Sequence, residues 1–172
     1  FGFFGSFALV LDEAGPRRGL LALLPTGALV VVYRIAYNLA GYGASGSSMY
    51  IDPLRDPGSF ALAAIERLPQ LLGGQLGGPP AGMFTLAGRQ VEVGATLVAS
   101  VVVVAALAVV WPLLRAEPRA RFWALGALFA AIPVCATQPH GRLMLVAGVG
   151  IAGVLAHVVA EVVAGAKRRG VR

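Results

Sequence analysis

An uncharged stretch of 21 residues at positions 94–114 limits the possible folds of this sequence more than any other feature. It reads GATLVASVVVVAALAVVWPLL and, as a helix, would be about 30 Å long, which matches the hydrocarbon core of a bilayer. A soluble domain rarely contains so long an apolar segment without a charge. We therefore predict a transmembrane helix over residues 94–114.

The composition extends this prediction to the whole chain. Hydrophobic residues make up 58% of the sequence and charged residues 13%, and the mean hydropathy is +0.78, which is typical of an integral membrane protein. The net charge of +6 does not indicate nucleic acid, because the basic residues lie at the ends of apolar segments. The predicted partner is the lipid bilayer, and nucleic acid is excluded.

The apolar segments together predict an all-α, polytopic bundle of about four transmembrane helices and one partial helix. Residues 1–11 are interpreted as the end of a truncated transmembrane helix, so we expect the remainder of a longer polytopic chain, or partner transmembrane helices, to pack against the bundle. The further spans are predicted at 19–40, at 122–137, which is short and contains Pro133, and at 143–166.

Residues 41–93 form the one long connection and are predicted to be aqueous. Asp56 followed by Pro57 is typical of a helix N-cap and first helical residue. At 100° per residue the apolar side chains of 57–72 fall on one face, which predicts an amphipathic helix lying flat on the membrane or on the bundle. Pro69 is expected to break its last turn.

The distribution of basic residues predicts which loops face the cytoplasm. Nine of the fourteen Lys and Arg residues lie in three segments, whereas the connection 41–93 holds three. By the positive-inside rule the first group is cytoplasmic and the connection 41–93 lies outside the plasma membrane. The cytoplasmic segments are 12–18, 115–121 and the basic tail 167–172.

Few residues are suited to chemistry. The sequence shows no cofactor loop, no complete metal-ligand set and no nucleophile constellation, and the single cysteine, Cys135, excludes an internal disulfide. Asp52 and Asp56 are the candidate catalytic residues, because paired carboxylates can act as acid and base or hold a divalent cation. The same pattern also suits a turn and a helix cap. We identify no cofactor and no metal site.

Three arginines are candidates for binding an anionic substrate. Arg34 lies inside a predicted span, where it would snorkel to the headgroups, bind a lipid phosphate or pair with an acidic residue of the outer loop. Arg55 and Arg142 lie in the two connections of the predicted outer side. Arg142 could bind a lipid-linked phosphate or anchor the chain at the headgroups.

The last predicted span carries two further patterns. His157 and Glu161 are four residues apart on one face, which suits a hydrogen-bonded pair within the bundle, a metal site or a proton relay. Small residues recur every four positions on the adjacent ridge, which predicts close packing of another helix. They are Gly148, Ala152, Ala156, Ala160 and Ala164.

Residues 33–80 resemble a segment of large uncharacterised bacterial polytopic membrane proteins. The resemblance is carried by the pattern YR…GYG…GS..YIDPL.DP…ERLP.LL.GQ and by the QPHGRLML turn. Those proteins are similar in layout to the C-type membrane glycosyltransferases, which use a lipid-linked sugar donor on the outer side of the membrane. The resemblance implies a glycosyltransferase-like protein of the bacterial inner membrane. It carries over no catalytic residue, because the acidic motif of that superfamily lies in a first outer loop outside this sequence.

Three functions stay open at this point. The favoured one is the substrate-groove part of a membrane-embedded transferase acting on a lipid-linked substrate, with Arg34, Asp52, Arg55 and Arg142 as ligands on the outer face. The second is a transporter or permease subunit, in which His157, Glu161 and Arg34 face a water-filled path. The third is a non-catalytic scaffold whose small-residue ridge docks a partner helix.

Overall fold

The computed structural model describes residues 2–13, 15–42, 50–83 and 88–170, and every regular element in them is helical. The prediction of an all-α bundle is confirmed. The α-helices are α1 Gly2–Val10, α2 Pro16–Ala22, α3 Leu24–Leu39, α4 Pro57–Gln75, α5 Arg89–Ala116, α6 Pro118–Ala131 and α7 Leu145–Gly170. Two 3-10 helices, Ile132–Ala136 and Gly141–Met144, connect α6 to α7.

Four helical stretches are long and apolar enough to cross a membrane. They overlap the four predicted spans, so the chain is a multi-pass membrane protein. The helix predicted at 94–114 begins five residues earlier, at Arg89, and the predicted loop 41–93 is correspondingly shorter. The four stretches are Pro16–Leu39, Arg89–Ala116, Pro118–Ala136 and Gly141–Gly165.

Helix α6 lies at the centre of the bundle, with α1 and α7 packed closely against it. The approach of α7 requires glycine, because a Cβ on Gly150 would lie 2.6 Å from the carbonyl oxygen of Trp123 and 2.8 Å from Cβ of Ala127. On the other side, the ring of Phe3 meets those of Phe122 and Trp123 edge to face, each at 5.8 Å between centroids. Small residues and aromatic edges therefore set the spacing of the three helices.

The small-residue ridge of α7 is not the surface that packs on α6. That interface uses Gly150 together with the buried Ala147 and Val154, whereas Ala152 and Ala156 are exposed on the opposite side of the helix and Ala160 is exposed to one side of the interface. Gly148, at the start of the ridge, faces α4, since a Cβ added there would lie 3.1 Å from Oε1 of Gln75. Docking of another helix on Ala152, Ala156 and Ala160 stays a prediction.

Helix α4 begins where the sequence indicates and ends later. Asp56 is the N-cap, its Oδ1 accepts a hydrogen bond of 3.0 Å from the backbone N–H of Ser59, and Pro57 is the first helical residue. The expectation that Pro69 breaks the last turn was wrong, because α4 continues for six more residues to Gln75. Gln70, Leu71 and Gly73 are buried, so packing stabilises the helix beyond the proline.

Helix α4 does not lie across the end of the bundle but runs along α5 in the same direction. Three contacts join the two helices at successive levels: Glu66 with Arg89, Gln70 with Thr96, and Gly73 with Ala99. These contacts advance by about 10 Å along α4 and about 15 Å along α5. The chain then turns back, with the N–H of Gly78 bonded to the carbonyl of Gly73 at 2.9 Å.

The buried core lies where α4 meets the connection between α6 and α7. Leu71, Cys135 and Met144 are fully buried there, and Phe60 and Leu68 of α4 pack against them. We call this end of the bundle the turn end, defined by residues 50–56 and 137–140. The opposite end of α5 and α6, residues 115–121, is called the arginine end.

Arg67 ties α4 to the turn end through the backbone. Its Nη1 donates hydrogen bonds of 2.8 Å to the carbonyl of Cys135 and 2.9 Å to that of Thr137. These carbonyls lie where the helix gives way to a 3-10 turn and a non-helical segment, so the usual helical donors are missing. A side chain that periodicity places on the polar face of α4 therefore satisfies two carbonyls at a helix break.

Gly73 of α4 lies in the contact with α5, whereas Gly94 of α5 lies outside it, so substitution by alanine should change stability in opposite directions. Gly73→Ala should lower stability by about 1–3 kcal/mol, because its Cβ would lie 2.9 Å from Cβ and 3.2 Å from Cα of Ala99. Gly94→Ala should raise stability by about 0.5–1 kcal/mol, because nothing lies within 4 Å of an added Cβ in this helical position. Unfolding in detergent micelles measures both changes. Equal effects of the two substitutions would contradict the close contact at Gly73.

Removing the guanidinium of Arg67 should destabilise the turn end. Arg67→Ala leaves two carbonyls without a donor, and we expect a loss of about 1–3 kcal/mol in the free energy of unfolding. Arg67→Lys keeps one charged donor and should recover part of that loss. The matched control is Arg55→Ala, which removes an exposed arginine and should change stability by less than about 0.5 kcal/mol.

Candidate functional site

Two hydrogen bonds bring the segment 50–56 and helix α3 together at the turn end. The backbone N–H of Ile51 donates to the carbonyl of Ala136 at 2.8 Å, which fixes the segment to the α6–α7 connection. Nη2 of Arg34 donates to Oδ2 of Asp52 at 2.6 Å, which joins α3 to the same segment. Two residues singled out by sequence, Arg34 and Asp52, are thus direct partners.

Arg34 forms an ion pair with an acidic residue of the long connection, which is one of the three interactions that the sequence suggested for it. Its side chain is 36% exposed and that of Asp52 is 20% exposed, so the pair lies at the edge of the bundle. The Nε atom of Arg34 is buried and has no hydrogen-bond partner among the described residues. Nearby, the rings of Tyr33 and Tyr37 on α3 and of Tyr42 just after it follow one another at 5.9 and 5.5 Å between centroids.

Both candidate carboxylates make local hydrogen bonds. Asp52 receives the guanidinium of Arg34 on Oδ2 and the backbone N–H of Leu54 on Oδ1 at 3.0 Å, so each oxygen has a donor. Asp56 caps α4, and hydrogen bonds from the hydroxyl and then the backbone N–H of Ser59 hold its pKa below the ordinary value. These contacts orient Arg34 and begin α4, and catalysis by either carboxylate stays a prediction.

Arg55 of the turn end and Arg142, two residues beyond it, carry two further guanidinium groups. Arg55 is exposed one residue before the α4 cap, and Arg142 is exposed in the 3-10 helix Gly141–Met144. Neither side chain forms a hydrogen bond or ion pair within the described part of the chain. Both are therefore available to an anion.

A second charged cluster, which the sequence analysis missed, joins the start of α5 to α4. Arg89 forms two hydrogen bonds to the carboxylate of Glu66 and a longer one, 3.5 Å, to Glu92. The hydrogen bond from Arg89 is the main cause that lowers the pKa of Glu66. Glu66 and Arg89 are 23 residues apart, so only the packing of α4 along α5 reveals the pair. Because both side chains are exposed, the pair of Glu66 and Arg89 contributes little to the free energy of unfolding.

His157 and Glu161 do not form the hydrogen-bonded pair that their spacing suggests. His157 is half-buried and Glu161 is exposed, and no hydrogen bond or ion pair joins the two side chains. Among the residues that the structure describes, no group of three or more His, Cys, Asp or Glu side chains could hold a metal ion.

An apolar groove of about 560 Å³ lies between α5 and α7, with α6 as its floor. Leu72 and Leu76 of α4 line one end, and Leu114 and Val158 line the other. Periodicity could not indicate it, because it forms where α5 and α7 stand apart on the surface of α6. Between its ends the walls include Ala105, Ala106 and Val110 of α5, Leu125 and Leu128 of α6, and Leu155 of α7.

Comparison of the chain with models of known protein families, with characterised proteins and with solved structures finds no match.

The pair of Arg34 and Asp52 should contribute little to stability by itself. Partly exposed ion pairs typically contribute about 0–1 kcal/mol, so a double-mutant cycle with Arg34→Gln and Asp52→Asn should give a coupling free energy of about 1 kcal/mol or less. Equilibrium unfolding of the two single variants and the double variant measures it. A coupling of several kcal/mol would show that the pair is a main structural support, which the exposure of both side chains argues against.

Proposed function

We propose that the turn end binds the phosphate of a lipid-linked substrate, and that the chain is the substrate-groove part of a membrane-embedded, glycosyltransferase-like protein. The observation that carries this proposal is the state of Arg34. Asp52 holds its guanidinium through Nη2, while the buried Nε lacks an acceptor among the described residues. A buried donor without an acceptor costs about 1–3 kcal/mol, and a phosphate oxygen would supply the missing partner.

The surroundings of Arg34 suit an anion at the membrane surface. Arg55 and Arg142 add two guanidinium groups at the same end of the bundle, neither of them paired with a described residue. Because arginine presents several N–H groups in a fixed plane, a site of this composition favours phosphate over a monovalent halide. Asp52 orients one of the three cations, Arg34, and accepts one hydrogen bond on each of its oxygens.

Helix α3 offers a surface for the hydrocarbon part of such a substrate. None of its residues is buried within the chain, and its exposed side chains include Leu29, Val31 and Ile35. A lipid carrier lying along α3 would place its phosphate at the level of Arg34, where the helix meets the segment 50–56. The predicted sidedness puts this site on the outer face of a bacterial inner membrane.

Glu161 favours a transporter as the second candidate. An exposed acid in an apolar helix, without an ion pair to any described residue, is typical of proton or ion pathways. In that case solute uptake would depend on His157 and Glu161 rather than on Arg34.

Photolabelling with a polyprenyl phosphate carrying a photoactivatable group next to the phosphate tests the proposal in membrane vesicles containing the full chain. We expect labelling of the segment 50–56, and a decrease of about tenfold in Arg34→Ala, because a charge-assisted hydrogen bond to phosphate is lost. Asp52→Asn should also decrease labelling, since Arg34 then loses the carboxylate that orients it. With labelled polyprenyl-phosphate sugar as donor, transfer should decrease in the same two variants.

The matched control is Arg17→Ala, which removes an exposed arginine in the first turn of α2 and should leave labelling unchanged. The corresponding polyprenol, which lacks the phosphate, should label weakly. Equal labelling by polyprenol and polyprenyl phosphate, or labelling that is indifferent to Arg34→Ala, would overturn the proposal. Solute uptake that is lost in Glu161→Gln or His157→Gln, together with no transfer from any donor, would establish the transporter instead.

A further inference from the structure

The apolar groove lies in the half of the bundle next to the arginine end. On α5 it uses residues 105–114 of a helix that ends at Ala116, and on α6 it uses residues 124–128 of a helix that begins at Pro118. Leu72 and Leu76, at the tip of α4, line its other end. An occupant therefore belongs to the leaflet on the side of residues 115–121, away from Arg34 and the turn end.

The dimensions and the lining of the groove suit a hydrocarbon chain. The lining part of α5 is about 14 Å long. The groove holds about 560 Å³. This volume lies within the range of small-ligand sites, about 300–1,000 Å³. All of its lining side chains are apolar, so neither a polar solute nor a headgroup fits within it.

The positive charge at the arginine end favours an anionic lipid headgroup. Arg121 lies three, four and seven residues before Ala124, Leu125 and Leu128, so it continues the ridge of α6 that forms the groove floor. Its side chain is exposed and forms no ion pair with a described residue. Residues 115–121 contain three arginines and one glutamate, a net charge of +2 (3 − 1).

The carboxylate of Glu161 lowers the net positive charge at this end of the bundle. Glu161 lies three residues beyond Val158, on the α7 side of the groove. Counting it together with residues 115–121 leaves a net charge of +1 (2 − 1). An anionic headgroup is therefore favoured on the α6 side, at Arg121, rather than on the α7 side.

From these observations we infer that the groove binds one acyl chain of an anionic phospholipid, whose phosphate lies at Arg121. The lipid belongs to the leaflet at the arginine end, and the chain fills the space between α5 and α7 up to the tip of α4. This site is separate from the phosphate site proposed at Arg34, and it does not depend on the transferase function.

The test uses the full chain in nanodiscs of phosphatidylcholine with a trace of phosphatidylglycerol that carries a diazirine in mid-chain. Mass spectrometry should place the crosslinks on residues 105–114 and 124–128. Ala106→Phe fills the groove and should decrease this labelling about tenfold, whereas Ala108→Phe, an equal substitution on the exposed opposite side of α5, should leave it unchanged. Ala124→Leu on α6 fills the same space and replaces Ala106→Phe in this test if that variant does not fold.

The headgroup is tested separately with diazirine-labelled phosphatidylcholine. We expect it to label the groove several-fold less than phosphatidylglycerol does, and Arg121→Gln should remove the difference. Arg115→Gln is the matched control, because Arg115 lies over the ring of Trp111, 5.0 Å from the centroid. Equal labelling by the two lipids in the unsubstituted protein, labelling unaffected by Ala106→Phe, or crosslinks to a second copy of the chain through groove residues would each overturn the inference.

Discussion

Hydrogen bonding of the backbone carbonyls at the end of α6 is the constraint on which the turn end depends. Where α6 gives way to a 3-10 turn, these carbonyls lose their helical donors, and because α4 and the segment 50–56 pack against them, they need partners from the protein itself. Arg67 supplies donors to Cys135 and Thr137, and the N–H of Ile51 supplies one to Ala136. These bonds fix α4 and the segment 50–56 against the connection, and the core around Leu71 and Met144 forms between them.

The spans and the start of α4 could be predicted because each depends on local sequence. Apolar length specifies a transmembrane helix, and Asp56 followed by Pro57 specifies a helix start wherever the segment lies. The orientation of α4 could not be predicted in this way. An amphipathic pattern assumes that the polar face meets water, whereas Arg67 and Gln70 of that face meet carbonyls and the hydroxyl of Thr96.

The candidate site was predicted in part for a similar reason. Arg34 drew attention because a charge inside a span needs a partner, and the structure provides Asp52, 18 residues further along. The pair of Glu66 and Arg89 and the apolar groove have no such local signal, because both arise from the distances at which helices pack. Gly150 of α7 also lies outside the regular ridge of small residues that the sequence shows. Its close contact with Trp123 of α6 leaves no room for a side chain, and periodicity does not indicate that contact.

The absence of buried residues in α3 has a consequence for how this part of the sequence can vary. Because Leu24–Leu39 forms no part of the core, exchanges among leucine, valine and isoleucine along it alter no internal packing. Selection on the helix then acts through its hydropathy, through Arg34 and through whatever surrounds it. Related chains could thus diverge widely over α3 while α6 and α7, whose spacing depends on single glycines, keep their small residues at the points of contact.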